Sequence, residues 1–167
     1  MDKCSCDEHV KNYLFVFEKT VITPHLKPTG AHMFRTGSRY DRNNHLIREA
    51  IDNRKRISIC SDFPIIFLFF KCRWPVGMGY VDKWLYPKEV LQFTGEGHSG
   101  DMDLSNGNKA IQNHRHDGRK LYLFEMVSNG KYECLGRFEY IKHEIIESED
   151  IQNGNRYEIV FLLGKLM

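Results

Sequence analysis

The chain has 167 residues, of which 41% are hydrophobic and 28% charged, and its formal net charge is +2. This composition is typical of a folded globular domain and excludes disordered and fibrous proteins. The longest apolar run, PIIFLFF, is far shorter than the roughly 18 residues of a membrane-spanning helix, and the N terminus has no secretory pattern. We therefore expect a single cytoplasmic domain over residues 1–167 with no membrane partner.

The charge is unevenly distributed, with 14 Lys and Arg against 9 Asp and Glu in residues 1–83, and 10 against 13 in the rest. A basic half suits contact with a polyanion, although we expect the run Arg54-Lys55-Arg56 to be solvated surface. Five scattered cysteines include no CxxC pair, and they are expected to be reduced. Cys4, Cys6 and His9 resemble the start of a metal site but lack a second ligand pair, so we expect neither metal nor cofactor.

The first 70 residues contain three predicted elements. NYLFVFEKTV at 12–21 is aromatic and β-branched and predicts a first strand, which a proline-containing loop follows. NHLIREAIDN at 44–53 has apolar residues at helical spacing and predicts a short helix. FPIIFLFF at 63–70 is short, continuously apolar and preceded by a proline bend, so it predicts a strand that is buried on both faces.

The second half is rich in predicted strands. VLQFT at 90–94 and RYEIVFLL at 156–163 have strand composition, and RKLYLFEMV at 119–127 and KYECLGRFEYIKHEI at 131–145 flank an Asn-Gly turn typical of a hairpin. Strands separated by tight turns predict an α+β fold: a twisted, mostly antiparallel, β-barrel-like sheet with a few helices.

A glycine-rich loop, FTGEGHSGDMDLSNGNKAI at 93–111, lies between these halves. Ser105 or Asn106 is a suitable N-cap for a helix predicted over 106–116, and Asp117-Gly118 ends it. A glycine turn before a helix N terminus is a ready anion site, so we expect a phosphate there. It is neither a P-loop, because no hydroxyl follows Lys109, nor a dinucleotide fingerprint, because the surrounding strands look antiparallel.

A longer pattern carries a family resemblance. The order aromatic-Thr-Gly-x-Gly, then Asp-x-x-Leu-Ser-Asn-x-Asn-Lys-Ala-Ile, resembles the signature of the SRA (SET- and RING-associated) domain. GMGYVDKW upstream, and DGRKLYLFEMV, GRFEYIKHE and YEIVFLL downstream, follow in the family's order. The resemblance covers about residues 75–163 and is greatest to the prokaryotic SRA-like modules of modification-dependent restriction endonucleases, which are often fused to an HNH nuclease. It implies an SRA/PUA-like fold.

The resemblance implies that the chain binds duplex DNA and flips a 5-modified cytosine, methylated or hydroxymethylated, into a pocket. Tyr80 and Phe93 are the candidate stacking rings, Asp82 would accept from the cytosine N4 amino group, and Thr94 would line the 5-position. The residues expected to contact the DNA backbone are Gly95, Gly97, Asn108, Lys109 and Arg115. Phe93 replaces the family's usual tyrosine, and the loop after Gly97 is shorter than in eukaryotic members.

Two other functions remain open at this point. A metal-dependent nuclease would use histidines and carboxylates such as His98, His114, His116, Asp101, Asp103 and Glu125, although no His-Asn-His frame is present. His114 and His116 flank the predicted helix end, where a cation would favour the helix dipole. The other alternative is a β-barrel that binds RNA or protein without base flipping. We expect a binding module with no catalytic residues, fused to a nuclease domain or partnered with a nuclease subunit.

Overall fold

The computed structural model describes residues 34–41, 55–61, 63–71, 82–97, 99–149 and 154–167, which all fall in one compact unit, Phe34–Met167. No helix in these ranges is long and apolar enough to cross a membrane. Eight strands and one helix occur in the described residues: β1 Arg39–Asp41, β2 Ile57–Ile59, β3 Ile65–Phe70, β4 Lys83–Tyr86, β5 Val90–Thr94, α1 Asn106–Asn113, β6 Lys120–Ser128, β7 Lys131–Glu149 and β8 Asn155–Lys165.

The strands form one sheet in the order β2-β3-β6-β7-β8-β5-β4, and β1 pairs with the start of β7. Every pairing is antiparallel except that of β3 with β6. This confirms the predicted mostly antiparallel sheet. The prediction of a single domain over 1–167 stays a prediction, because the described residues begin at Phe34.

Most predicted strands of the second half lie where the sequence placed them. The hairpin between β6 and β7 turns at Asn129-Gly130, where Gly130 has a φ of +73°. The helix is shorter than predicted: α1 ends at Asn113, and residues 114–118 form turns. The predicted strand at 12–21 and helix at 44–53 lie outside the described residues.

Strand β3 is buried on both faces, as predicted, because β2 and β6 flank it and side chains cover both sides of the sheet. One face joins an apolar core that also contains residues of β5, β6, β8 and α1: Ile66, Leu68, Phe70, Leu91, Phe93, Ile111, Leu121, Leu123 and Phe161. The other face is an aromatic cluster that contains Phe34, Tyr40, Phe67, Phe69, Tyr122, Phe124 and Tyr132.

Candidate functional site

A carboxylate from the glycine-rich loop accepts a hydrogen bond at the N terminus of α1. The Gly107 N–H donates to Glu96 Oε1 at 2.8 Å, while the N-cap residue Ser105 makes no side-chain cap hydrogen bond. A carboxylate at this position satisfies a free N–H of the first turn and the positive end of the helix dipole. In the structure Glu96 supplies the anion at this N–H, and a phosphate at the helix N terminus stays a prediction.

Asn108 holds the two ends of the loop together. Its side chain is 1% exposed; Oδ1 accepts from the Glu96 N–H at 2.9 Å, and Nδ2 donates to the carbonyls of Glu96 and Asp103 at 3.0 and 2.9 Å. These three bonds join part-buried backbone groups at the two ends of the loop. We predicted a phosphate contact for Asn108, but its polar atoms face the loop interior.

Two glycines are required by close packing between the loop and α1. A Cβ on Gly95 would lie 2.6 Å from Asn108 Oδ1, and one on Gly107 would lie 2.6 Å from Glu96 Oε1. The Gly95 N–H donates to the Ile159 carbonyl of β8 at 2.8 Å, so it is not offered to DNA. The glycine pattern that suggested phosphate binding thus has an explanation in the packing of the loop.

The rest of the loop is joined to β8. The Tyr157 N–H donates to Asp101 Oδ1 and the Met102 N–H donates to the Tyr157 carbonyl, both at 2.8 Å. Next to them, Arg156 forms an ion pair with Glu158 in which both side chains are 1% exposed, and Arg156 Nη1 donates to the Gly97 carbonyl at 3.2 Å. The predicted backbone-contact residue Gly97 is therefore held by a buried arginine.

Sequence reasoning missed the Arg156–Glu158 pair. A signal was present, because residues two apart in a strand lie on the same face, and an arginine and a glutamate so placed can pair. Both residues lie in a predicted strand in which most of the other residues are apolar. A strand prediction alone did not reveal that this polar face is buried.

Three predicted pocket residues come together at the end of β5. The Thr94 N–H donates to Asp82 Oδ1 at 2.9 Å, which fixes the orientation of the carboxylate. The side chain of Asp82 is fully buried, and Phe93 and Thr94 are both 0% exposed. Tyr80, the other predicted ring, lies outside the described residues.

Arg56 completes this group and was not among the predicted site residues. Its Nη2 lies 2.5 Å from Asp82 Oδ2, and its guanidinium carbon lies 4.5 Å from the centroid of the Phe93 ring. The residue is 8% exposed, so the expectation that the run 54–56 is solvated surface is wrong for Arg56. In this buried position Asp82 neutralises the arginine, and the Phe93 ring lies against its guanidinium.

Two predicted backbone-contact residues are exposed cations. Lys109 lies on the solvent side of α1, and Arg115, just after the helix, forms an ion pair with Glu139 of β7. The Arg115 side chain is 64% exposed. An exposed ion pair contributes little stability, about 0–1 kcal/mol, so this guanidinium can exchange its partner at low cost.

His114 does not fit the expected cation at the helix end. It is buried, its Nδ1 lies 2.8 Å from the Ile111 carbonyl, and desolvation lowers its pKa from the ordinary 6.5, with the nearby charge of Arg115 acting in the same direction. The ring is therefore neutral near pH 7. His116 is exposed and contacts Asp117.

Within the ranges that the structure describes, no group of three or more His, Cys, Asp or Glu is arranged to hold a metal ion.

A family model described as "ScoMcrA-like, SRA domain" matches residues 37–166. The fold is similar to that of ScoMcrA: the structure of its sulfur binding domain and SRA domain with phosphorothioated DNA superposes with a TM-score of 0.62 at 18% identity, over 79% of this chain and 40% of that one. The phosphorothioation-dependent restriction endonuclease ScoMcrA gives a TM-score of 0.62 at 19% identity, over 79% and 24%.

A structure of the SUVH5 SRA domain with methylated CHH DNA is also similar, with a TM-score of 0.56 at 17% identity over 82% of this chain and 92% of that one. The chain spans less than half of each of the two ScoMcrA chains that it matches. No curated protein sequence matches it.

Proposed function

Because the chain belongs to the ScoMcrA-like SRA domain family, we propose that it reads modified DNA, by binding duplex DNA and flipping a 5-modified cytosine into a pocket beside Phe93 and Asp82. Phe93 supplies a stacking face, and the Asp82 carboxylate accepts from the N4 amino group of the base. Thr94 lines the pocket at the 5-position. Tyr80 is the second stacking ring in this proposal.

The observation that carries the proposal is the orientation of Asp82 next to an aromatic ring. The Thr94 N–H holds Oδ1 at 2.9 Å, so Oδ2 is directed towards the space over the Phe93 ring, where the Arg56 guanidinium lies. A fixed carboxylate selects cytosine over thymine, because cytosine presents an amino donor where thymine presents a carbonyl acceptor. Stacking on the ring, about 1–3 kcal/mol per base, offsets part of the cost of flipping.

The solved structures that share the fold support the same class of ligand. One contains ScoMcrA with phosphorothioated DNA and another contains SUVH5 with methylated DNA. We propose that this chain is likewise the reader of a modification-dependent restriction system. In this proposal it acts in the cytoplasm, without cutting DNA itself, and a nuclease domain or subunit cleaves.

The experiment that tests the pocket changes the DNA and leaves the protein intact. Fluorescence anisotropy would compare duplexes that carry 5-methylcytosine, 5-hydroxymethylcytosine, cytosine, or a thymine opposite guanine at one position. The T·G mismatch retains the 5-methyl group and opens easily, but it lacks the N4 donor. We expect 5-methylcytosine to bind about 1–3 kcal/mol more tightly than either cytosine or the mismatch.

Equal affinity for the mismatch and for 5-methylcytosine would exclude Asp82 as the reader of the base edge. A single-stranded RNA of the same sequence and a cleavage assay with Mg²⁺ test the other two functions. Preference for RNA would favour a binding barrel without base flipping. Cleavage of modified duplex by this chain would favour a nuclease.

The exposed cations should contribute affinity without specificity. Lys109→Ala and Arg115→Ala are expected to weaken modified and unmodified duplex equally, and to lower the slope of log affinity against log salt by about one unit for each lost phosphate contact. Lys131→Ala is a matched control, because Lys131 is exposed beside the Asn129-Gly130 turn. A selective loss for the modified duplex would place Lys109 or Arg115 at the base instead.

A further inference from the structure

Arg56 makes, within the protein, the same two contacts that the proposed function assigns to the flipped base. Its guanidinium lies over the Phe93 ring, 4.5 Å from the centroid, and its Nη2 lies 2.5 Å from Asp82 Oδ2. A guanidinium is planar and carries N–H donors at its edge. Cytosine is also planar and carries an N4 amino donor at its edge. The two groups therefore compete for one ring face and one carboxylate oxygen.

The space beside Phe93 is closed while Arg56 is there. Phe93 is 0% exposed, and the side chain of Asp82 is also 0% exposed. We infer that Arg56 is a surrogate for the flipped base: it occupies the pocket in the free protein and leaves when a modified cytosine enters. The inference rests on the proposed function and assigns to Arg56 control of access to the pocket.

The backbone of Arg56 is anchored to the sheet. The Phe69 N–H of β3 donates to the Arg56 carbonyl at 2.8 Å, and the following residues, Ile57 and Ser58, are buried in β2. Asp82 also keeps its position, because the Thr94 N–H holds its other oxygen. In this inference the Arg56 side chain rotates out of the pocket while the backbone of β2 and the Asp82 carboxylate keep their positions.

An internal competitor changes which bases enter the pocket. If the open state is a small fraction of the protein, the apparent affinity for every flipped base falls by that fraction. A modified cytosine, which gains additional contacts at its 5-position, still displaces Arg56. An unmodified cytosine gains less and stays stacked in the duplex. Displacement of Arg56 therefore has a free-energy cost that either base must offset before it enters the pocket.

The first test weakens the competitor and retains its charge. Arg56→Lys keeps a cation for Asp82 but removes the planar group that covers Phe93. We expect the affinity for 5-methylcytosine duplex to rise about tenfold, because the pocket is open for more of the time. The affinity for unmodified duplex and the salt slope should not change. A reduced or unchanged affinity for the modified duplex would overturn the inference, since Arg56 would then support the pocket or play no part in it.

The second test uses the unaltered protein and is independent of how well the variant folds. Side-chain NMR signals of Arg56, assigned by their loss in Arg56→Lys, should show hindered rotation in the free protein and with unmodified duplex. Saturation with 5-methylcytosine duplex should shift them and release the hindrance. Unchanged signals, in a protein that does prefer the modified duplex, would refute the surrogate role and leave the proposed function standing. If the parent protein shows no preference, the proposed function fails and the inference fails with it.

Discussion

Two regions of the domain bury very different side chains. The aromatic region consists of β3, β6 and the start of β7, together with Phe34 and Tyr40, and its rings contact one another at centroid distances of 5.0–5.9 Å. The loop region consists of residues 93–114 with Arg56, Asp82 and β8. In the described residues all but one of the buried polar and charged side chains lie in or beside the loop region: Arg56, Asp82, Thr94, Asn108, His114, Arg156 and Glu158. The exception, Ser58 of β2, lies opposite Phe67 of the aromatic region.

The aromatic region stabilises the fold, whereas the loop region determines the geometry of the site. Apolar burial is non-directional, so the aromatic region gains stability from area and tolerates small rearrangements. Buried charges and amides are costly unless each finds its partner, so the loop region adds little net stability but permits few geometries. A site that must present one carboxylate oxygen at one angle benefits from such a restriction.

The largest effect is expected in the aromatic region. Phe124 contacts Phe34, Tyr40, Phe67 and Phe69, and Phe124→Ala should lower the free energy of unfolding by about 3–5 kcal/mol in urea titrations. The folded fraction should still distinguish modified from unmodified duplex. Phe124→Leu is the matched control and should cost less. A loss below about 1 kcal/mol would mean that the cluster does not hold the sheet.

Breaking the buried ion pair of the loop region should have the next largest effect. Arg156→Met leaves the Glu158 carboxylate without its partner and removes a donor to the Gly97 carbonyl, and is expected to cost about 3 kcal/mol. Replacing both residues, as Arg156→Met with Glu158→Leu, should recover most of that stability in the same urea titration. Affinity for DNA should not recover, because the Gly97 carbonyl still lacks the arginine donor. A double variant that is no more stable than the single one would argue against a costly unpaired charge.

Asn108→Ala should have a smaller effect on stability, about 1–3 kcal/mol, because it removes three hydrogen bonds to the part-buried N–H and C=O groups of Glu96 and to the Asp103 carbonyl. Hydrogen exchange of the loop amides should rise with it. Asn108→Asp keeps the acceptor for the Glu96 N–H but places an acceptor against the two carbonyls, so it should not restore stability. A change within about 0.5 kcal/mol for Asn108→Ala would show that water replaces the amide.

The smallest effect concerns pH. Since burial lowers the pKa of His114 below 6.5 in the folded state, the unfolded state binds more protons between the two values. The contribution of the neutral ring is therefore complete above pH 6.5 and is lost as the pH falls towards the folded-state pKa. His114→Gln should flatten the fall in urea midpoint below pH 6.5, whereas His116→Gln, at an exposed position, should leave it unchanged. If the urea midpoint falls equally with pH in the parent and in His114→Gln, a lowered pKa of His114 does not account for the pH dependence.

The strands were predictable because their signals are local. The continuous apolar residues of β3 indicate a buried strand, and the Asn-Gly turn after β6 indicates a hairpin. Neither inference requires knowledge of the neighbouring strands. The length of α1 was overestimated, because the turn begins at His114, before the Asp117-Gly118 signal. Asp82 was selected from one segment of the family resemblance and Phe93 and Thr94 from another, and they do lie together.

The other parts of the site depend on contacts that no local pattern contains. Arg56 stands 26 residues before Asp82, within a charged run that is typical of a surface. Glu96 stands 11 residues before Gly107, whereas a capping glutamate is usually sought within the first turn of its own helix. Each contact joins residues from different elements of the fold. Tertiary context therefore decides whether such residues face solvent or another charge.

The contact of the loop with β8 also bears on self-association. Beyond its pairing with Thr94, β8 has backbone groups that would form an open sheet edge, which is a template for pairing with another chain. Gly95, Asp101 and Met102 engage those groups at Ile159 and Tyr157. The loop therefore covers an edge at which strands of two molecules would otherwise add to each other. Substitutions that detach it should promote aggregation before they unfold the sheet.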